Sequence, residues 1–408
     1  MWSNELVRAA LPTLAAVVIL GLVIAVALWP AGQVDPSPPV AGRTGPARPS
    51  GQEAPAPARS TRVREATQPE EAIAPDGVPK DTATASNPVG SNFFLGLGWL
   101  RRHQGADGRW NDPATTGTVL LAFLGAGETH QAGSNRESVK KALTALIAGQ
   151  DEDGCLVPRT SSRALREHAM AGLALSEAYG MTSSRWLKEP AQRAVEFARG
   201  SRVPRGAWSL ASPEEEELDV ETTAWMSLLL KNASLSGLDV DEADFPEILA
   251  ALDRVTDPAT GRIRPTVRVP APLSEEAATA MGFSLRVFLG TTPEQRRHAT
   301  SADWLLAHPL ADKAAEWLVA HPPAPDTGDL DYVYFGSKGM IALGGDRFRA
   351  WLPALNQIVG LAGVADGPDK GSWDPPDGGE VARIRATACH VTFCEAYFGP
   401  VGHASMRK

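Results

Sequence analysis

The sequence predicts an all-α chain whose folded part is a single α/α toroid of six helix pairs, with six inner and six outer helices. Three observations carry this. Six near-continuous apolar segments recur, and each closes at a glycine: Gly127, Gly180, Gly237, Gly290, Gly345 and Gly399, 53 to 57 residues apart. A fixed period of that size marks an array of supersecondary units. Amphipathic segments alternate with them; in "ESVKKALTALIAGQ", Val139, Leu143, Leu146 and Ile147 form one stripe opposite Lys140 and Lys141. A helix apolar on nearly all faces needs cover on several sides. An inner ring wrapped by an outer ring supplies that cover, whereas an open solenoid leaves one side of the inner helices bare.

A short N-terminal tail, residues 1–10, precedes the first segment in chain order. Residues 11–29, "LPTLAAVVILGLVIAVALW", hold no charge. At 1.5 Å per residue they give roughly 28 Å of helix, enough for a hydrocarbon core of about 30 Å. The expectation is a transmembrane helix over 11–30, a single-pass anchor. A signal peptide cleaved after Ala27 is the alternative, but its apolar region runs only about 7–15 residues. Arg8 and the α-amine against Glu5 favour a cytoplasmic tail and an extracytoplasmic toroid. Residues 31–88 are rich in Pro, Ala, Gly, Ser and Arg without hydrophobic period, which predicts a disordered linker. The toroid is expected over 89–400 and a C-terminal tail over 401–408. Net charge is −9, so nothing suggests a nucleic-acid partner. Cys155, Cys389 and Cys394 are too few and odd in number for a disulfide framework.

The links between helices repeat as well. "WLRRHQGADGRW" sets Leu100, Gln104, Gly108 and Trp110 at fixed spacing. "LIAGQDEDGCL" repeats it as Leu146, Gln150 and Gly154, with Leu156 at the Trp place; Trp208, Ile263 and Trp373 follow in later units. The fifth unit, around "HPPAPDTGDLDY", lacks the pattern. The run from Leu100 to Trp110 closely resembles the Gln–Trp repeat of squalene and oxidosqualene cyclases and of protein prenyltransferase β subunits. The final "KGSWDP" and "ATACHVTFCEAYFGP" resemble membrane-anchored bacterial proteins with these repeats. The resemblance covers roughly residues 92–400 and implies one six-pair toroid of the terpenoid cyclase and prenyltransferase type.

Residues 219–224, "DVETTA", resemble the D-x-D-D-T-A acid of squalene–hopene cyclases, with Glu221 at the proton-donating place and Thr222 at that of the last Asp. Glu221 is the one catalytic candidate. Internal comparison favours a structural role, because every inner helix starts with acids: Asp112, Glu167, Asp219 with Glu221, Glu275 with Glu276, Asp329 with Asp331, and Glu380. Acids there offset the helix dipole and cap free N–H groups. In parallel inner helices Asp112, Glu167, Asp219, Glu221, Glu276, Asp331 and Glu380 would ring one mouth and make it negative enough for a cationic partner.

Two pairs have metal-ligand chemistry. Cys155 with His168 is superficially similar to the zinc set of protein prenyltransferases, and Cys389 with His390 to that of lanthionine cyclases. "EDG" before Cys155 repeats the turn "ADG" of Asp107-Gly108, and adjacent helical residues point about 100° apart, so neither completes a three-ligand site. No metal or other cofactor is expected. Aromatic residues make up 6% of the chain, sparse for a cavity that stabilises carbocations. The functional expectation is a membrane-anchored, non-catalytic binding or scaffolding module for a lipid or protein. The alternatives are a terpenoid-cyclase-like or prenyl-group enzyme and, more distantly, an α/α-barrel glycosidase whose paired carboxylates cannot be chosen among so many helix-start acids.

Overall fold

The computed structural model describes residues 88–204, 206–209, 218–265, 273–290, 300–361, 363–375 and 378–406, with side chains from 90 to 394. Thirteen helices form among the described residues. Six carry the apolar runs: α2 (Pro113–Gly125), α4 (Ala164–Thr182), α6 (Val220–Leu235), α8 (Glu275–Leu289), α11 (Leu330–Leu343) and α13 (Glu380–Met406). Each packs on the next and α13 packs on α2, so the ring closes. Outside it lie α1 (Pro88–Arg102), α3 (Arg136–Ala148), α5 (Arg185–Gly200), α7 (Asp244–Arg254), α10 (Pro309–Ala320) and α12 (Gly345–Val359), with the short α9 (Ser301–Ala307) leading into α10. Because α1 packs against α13, the first helix completes the last pair. The fold is the α/α toroid.

Burial follows the two sequence patterns. On α6 every residue from Thr222 to Ala233 is buried, whereas α5 buries only the stripe Leu187, Ala191, Ala194, Val195 and Ala198. Adjacent inner helices approach closely. A Cβ on Gly117 of α2 would stand 2.7 Å from the Met170 carbonyl oxygen of α4, so only glycine fits there.

The repeated links act as braces. Trp110 and Trp208 are fully buried, and their indole N–H groups donate to Leu100 O (2.7 Å) and Ala198 O (2.9 Å). These carbonyls lie in the last turns of outer helices, where each otherwise meets a cap N–H, that of His103 or Ser201, in place of a regular helical donor. Gln104 donates to Gly108 O and to Ser138 O of α3; Gln150 donates to Gly154 O and to Pro190 O of α5. Each Gln therefore ties its turn to the next outer helix. Thr116, Thr223, Thr279 and Thr387 accept the backbone N–H of Trp110, Trp208, Ile263 and Trp373. In the divergent fifth unit, the Tyr332 hydroxyl instead donates to His321 O.

Some boundaries differ from expectation. Gly127 (φ +77°) and Gly237 (φ +76°) take the left-handed conformation just beyond their helices, as a C-cap requires. Gly180 lies inside α4, which ends at a left-handed Ser183. Gly345 opens α12, and α13 continues through Gly399 and Pro400 into the expected tail, as far as Met406. No helix of the described residues is long and apolar enough to cross a membrane. The expected span at 11–30 and nearly all of the linker at 31–88 lie outside the described residues.

Candidate functional site

The inner helices run parallel, and their N-terminal ends surround a cavity of about 550 Å³. Thr118 and Leu121 line it from α2, Arg166 and Met170 from α4, and Glu221 and Trp225 from α6. Ser274 caps α8 at its edge, Asp331 and Tyr334 come from α11, and Arg385, Cys389 and Thr392 from α13. Half-way down, the bore is filled. Trp225 stacks on Tyr334 (centroids 5.2 Å apart, 25° between planes) and meets Phe335 edge-on at 5.1 Å. Beneath this floor lies a smaller space of about 30 Å³, walled by Glu177, Lys231, Asn232 and Lys338. Burial raises the Glu177 carboxyl, opposed by the nearby Lys338 charge.

The cavity centres on one guanidinium. Arg166 Nε lies 2.7 Å from Glu221 Oε1, and its Nη2 lies 3.3 Å from Asp331 Oδ2. The Nε–H is not directed at the Glu221 oxygen, so that contact is ionic and leaves a buried donor without a hydrogen bond. One guanidinium fork keeps the two contacting carboxylate oxygens within about 8 Å of each other. Burial pushes the Glu221 carboxyl up to about 7; Arg166 opposes the shift, and Asp331 and Asp219 add to it. Asp329 is also raised by burial, against hydrogen bonds from the Ser274 hydroxyl and the Tyr332 N–H.

The "DVETTA" run therefore divides its work. Asp219 caps α6 by accepting the Thr222 N–H at 2.7 Å, Thr223 braces Trp208, and Glu221 alone of the acids faces the cavity. Asp112 likewise caps α2 through Thr115 N–H at 2.7 Å and meets Arg385 at 3.5 Å. Its carboxyl stays low because these hydrogen bonds and Arg385 outweigh burial. Glu167, Glu276 and Glu380 do not line the cavity. The expected ring of acids thus reduces to Glu221 and Asp331, and Arg163, Arg166 and Arg385 interleave with them, so the mouth is not uniformly negative.

The metal candidates have other employment. His168 occupies the brace position that threonine holds in four other units: its Nδ1 accepts Leu156 N–H at 3.2 Å and its Nε2 meets Ala194 O at 3.0 Å. Burial lowers its pKa to about 4. Cys155 is buried and donates towards Val157 O. Cys389 lines the cavity, its thiol pushed up to about 12 by burial and then by Asp331. Its neighbour His390 turns away to stack on Trp373, 4.9 Å between centroids and 3° between planes. Among the described residues no three His, Cys, Asp or Glu side chains converge on a metal position.

Sequence reasoning missed Arg163, Arg166 and Arg385. A signal was present: two arginines at the start of an otherwise apolar helix oppose its dipole, which disfavours cations at that end.

No protein-family model matches the chain. No curated protein matches it significantly in sequence. Solved structures do match in fold. An α-1,6-mannanase of glycoside hydrolase family 76 from Salegentibacter sp. HEL1_6 aligns at TM-score 0.54 and 15% identity over 76% of this chain and 98% of the other. A family 76 mannosidase from Bacteroides thetaiotaomicron aligns at TM-score 0.51 and 10% identity over the same shares. A type II terpene cyclase from Scytonema aligns at TM-score 0.48 and 13% identity, again over 76% and 98%. The α/α toroid expected from the sequence is the fold that the two family 76 structures share with the chain. The expected non-catalytic scaffold for a lipid or protein is overturned. That reading rested on the missing D-x-D-D acid, the sparse aromatics and the lack of a metal set, whereas the fold is shared with glycoside hydrolases and the inner helix ends enclose a cavity with a raised carboxyl beside a second carboxylate.

Proposed function

We propose that the chain is a carbohydrate-active enzyme that hydrolyses a glycosidic bond in the cavity at the N-terminal ends of the inner helices. One observation carries this reading: Glu221 and Asp331 share the Arg166 guanidinium above the Trp225–Tyr334 floor. Glycosidases use two carboxyl groups about 5 to 9.5 Å apart, one protonated and one ionised, and the bound of about 8 Å is compatible with that range. With its carboxyl near 7, Glu221 keeps a proton available at neutral pH and is assigned as general acid. Asp331, ion-paired to Arg166, is assigned as the ionised partner that acts as base or nucleophile. The flat faces of Trp225 and Tyr334 suit the apolar face of a sugar ring.

The arrangement differs from the Salegentibacter enzyme, of which a variant with two neighbouring aspartates replaced is inactive and binds α-1,6-mannotetraose. Here the proposed pair sits on two helices, and the adjacent Glu275 and Glu276 lie outside the cavity lining. Residues 11–29 as anchor and 31–88 as tether would hold the cavity at a membrane surface. The test is release of reducing ends from a panel of oligosaccharides that starts with α-1,6-mannotetraose. Turnover abolished by Glu221→Gln and by Asp331→Asn supports the assignment; turnover unchanged in both variants sinks it.

A further inference from the structure

We propose that the substrate is an anionic glycan whose carboxylate or phosphate is held at the mouth by Arg163, with Arg166 and Arg385 beside it. The proposal rests on the carbohydrate reading above and adds the charge class of the ligand.

Donors exceed acceptors in this cavity. Three arginines line it, from the N-cap of α4, its first turn and the second turn of α13. Arg385 is engaged by Thr115 Oγ1 at 3.0 Å and weakly by Asp112 at 3.5 Å. Arg166 holds Glu221 and Asp331 yet keeps its Nε–H without a hydrogen bond. Arg163 is half-buried, and its guanidinium makes no hydrogen bond or close ion pair among the described residues, its charge acting on Glu221 only from a distance. The indole N–H of Trp225 is a further donor with no acceptor, on a side chain only 4% exposed that lines the same cavity. Buried donors without partners are rare in folded proteins, and a ligand acceptor resolves both.

The cavity acids do not absorb these donors. Asp329 is occupied by Ser274 and the Tyr332 N–H, and burial favours the neutral form of Glu221. Among the described residues, Asp331 and Asp112 are the ionised acids that contact these guanidinium groups, one at Arg166 and one at Arg385, while Asp219 and Glu167 act on Arg166 from farther off. Parallel inner helices add to the imbalance, because their N-terminal dipoles converge on the mouth and favour an anion. Arg163 and Arg166 sit at the dipole end that disfavours cations, so their placement works against helix stability and with anion binding. A guanidinium fork matches the oxygens of carboxylate or phosphate in bidentate fashion.

Titration calorimetry on the full chain, in low salt and again at physiological salt, separates the possibilities. The probes are tetragalacturonate, mannotetraose, mannotetraose phosphorylated at a terminal 6-hydroxyl, and inorganic phosphate. We expect at least one acidic oligosaccharide to bind tenfold or more tightly than mannotetraose, with the preference shrinking as salt rises. Preference for tetragalacturonate assigns the charge to a carboxylate, and preference for the phosphorylated sugar assigns it to a phosphate. Arg163→Ala should remove the preference without a fall in melting temperature, since the cation opposes the helix dipole, and Arg163→Lys should retain part of it. Equal affinity for neutral and acidic sugars, a preference unaffected by Arg163→Ala, or inorganic phosphate bound as tightly as the phosphorylated sugar each overturns the proposal. Acidic-sugar binding without cleavage would instead remove the hydrolase assignment and leave this one standing. Cleavage of mannotetraose with no charge preference does the reverse.

Discussion

Arg166 on α4 reaches across the centre of the inner ring to Asp331 on α11, 3.3 Å away, and so joins the second and fifth of six inner helices. The same guanidinium meets Glu221 of α6 at 2.7 Å, and all three side chains are largely shielded from solvent. Removing one member of such a set strands the others, at a cost of about 3–5 kcal/mol for a buried pair. Arg166→Ala should therefore lower stability by about that amount at pH 8, where Glu221 is ionised in both folded and unfolded chains. At pH 6 the loss should be smaller, because a neutral Glu221 no longer repels Asp331. Denaturant melts of the variant at the two pH values check this; an equal loss at both would mean that the Glu221 charge is not involved.

Glu221 makes a second prediction, on activity. As general acid it must carry its proton, so the rate should fall as pH rises through about 7. Glu221→Gln should reduce turnover about 10²–10⁴-fold. Stability has a definite sign as well. The folded carboxyl is raised by burial and then modified by Arg166 and Asp331, while the unfolded one titrates near 4.5. Between these values the folded chain binds more protons, so stability falls as pH rises from about 4.5 to about 7. In Glu221→Gln that slope should flatten, which a pH series of melts reads directly.

The toroid was legible in the sequence because its determinants are local and repeated. Apolar runs such as residues 222–237, turn glycines such as Gly108 and Gly154, and the Gln104 and Trp110 spacing all restate one unit. Departures came where tertiary packing overrides a local signal, as at Gly180, whose helix continues two residues further. The acids at the inner helix starts were legible, but not their division of labour. Asp219 and Glu221 are two residues apart, and only their angle around α6 decides that one caps the helix while the other enters the cavity. Arg166 escaped notice because its partners Glu221 and Asp331 lie 55 and 165 residues away, and no spacing rule connects them.

The threonine braces allow a test of the repeat itself. Thr223 Oγ1 accepts the Trp208 N–H at 3.3 Å with both groups buried. Thr223→Val keeps the shape and leaves that N–H unpaired, a loss of about 1–3 kcal/mol. The equivalent Thr116→Val and Thr387→Val should cost similar amounts, and changes at such distant sites should add. Chemical denaturation of the single and double variants measures both points; a neutral Thr223→Val would show that the brace contributes nothing.

Gly117 probes how closely the inner ring is drawn. Its missing Cβ would meet the Met170 carbonyl oxygen at 2.7 Å and the Ala171 Cα at 2.8 Å, both backbone atoms that cannot rotate away. Despite the better helix propensity of alanine, worth about 1 kcal/mol, Gly117→Ala should destabilise the chain because α2 and α4 must separate. Gly237→Ala is an informative contrast. That glycine has no atom within 4 Å of an added Cβ but sits at φ +76°, so its cost is conformational strain alone, roughly 1 kcal/mol. Melting temperatures should fall further for Gly117→Ala than for Gly237→Ala, and the reverse order would refute the close approach.

His168 turns the same brace into a pH-sensitive one. Burial, opposed by its hydrogen bond to Ala194 O, holds the native imidazole neutral down to about 4, while an unfolded histidine takes a proton near 6.5. As pH falls between these values the unfolded chain binds the extra proton and stability is lost. His390, also lowered to about 4 by burial, adds a loss of the same sign. Replacing His168 with the threonine used in other units should therefore weaken the acid sensitivity without abolishing it. At pH 7 the variant should be less stable by about 1–3 kcal/mol, because a threonine at this position is too short to replace the imidazole contact to Ala194 O. The gap between wild type and His168→Thr should thus narrow as pH is lowered from 7 to 4.5. A gap that stays constant would place the acid sensitivity elsewhere, with His390 the next residue to replace.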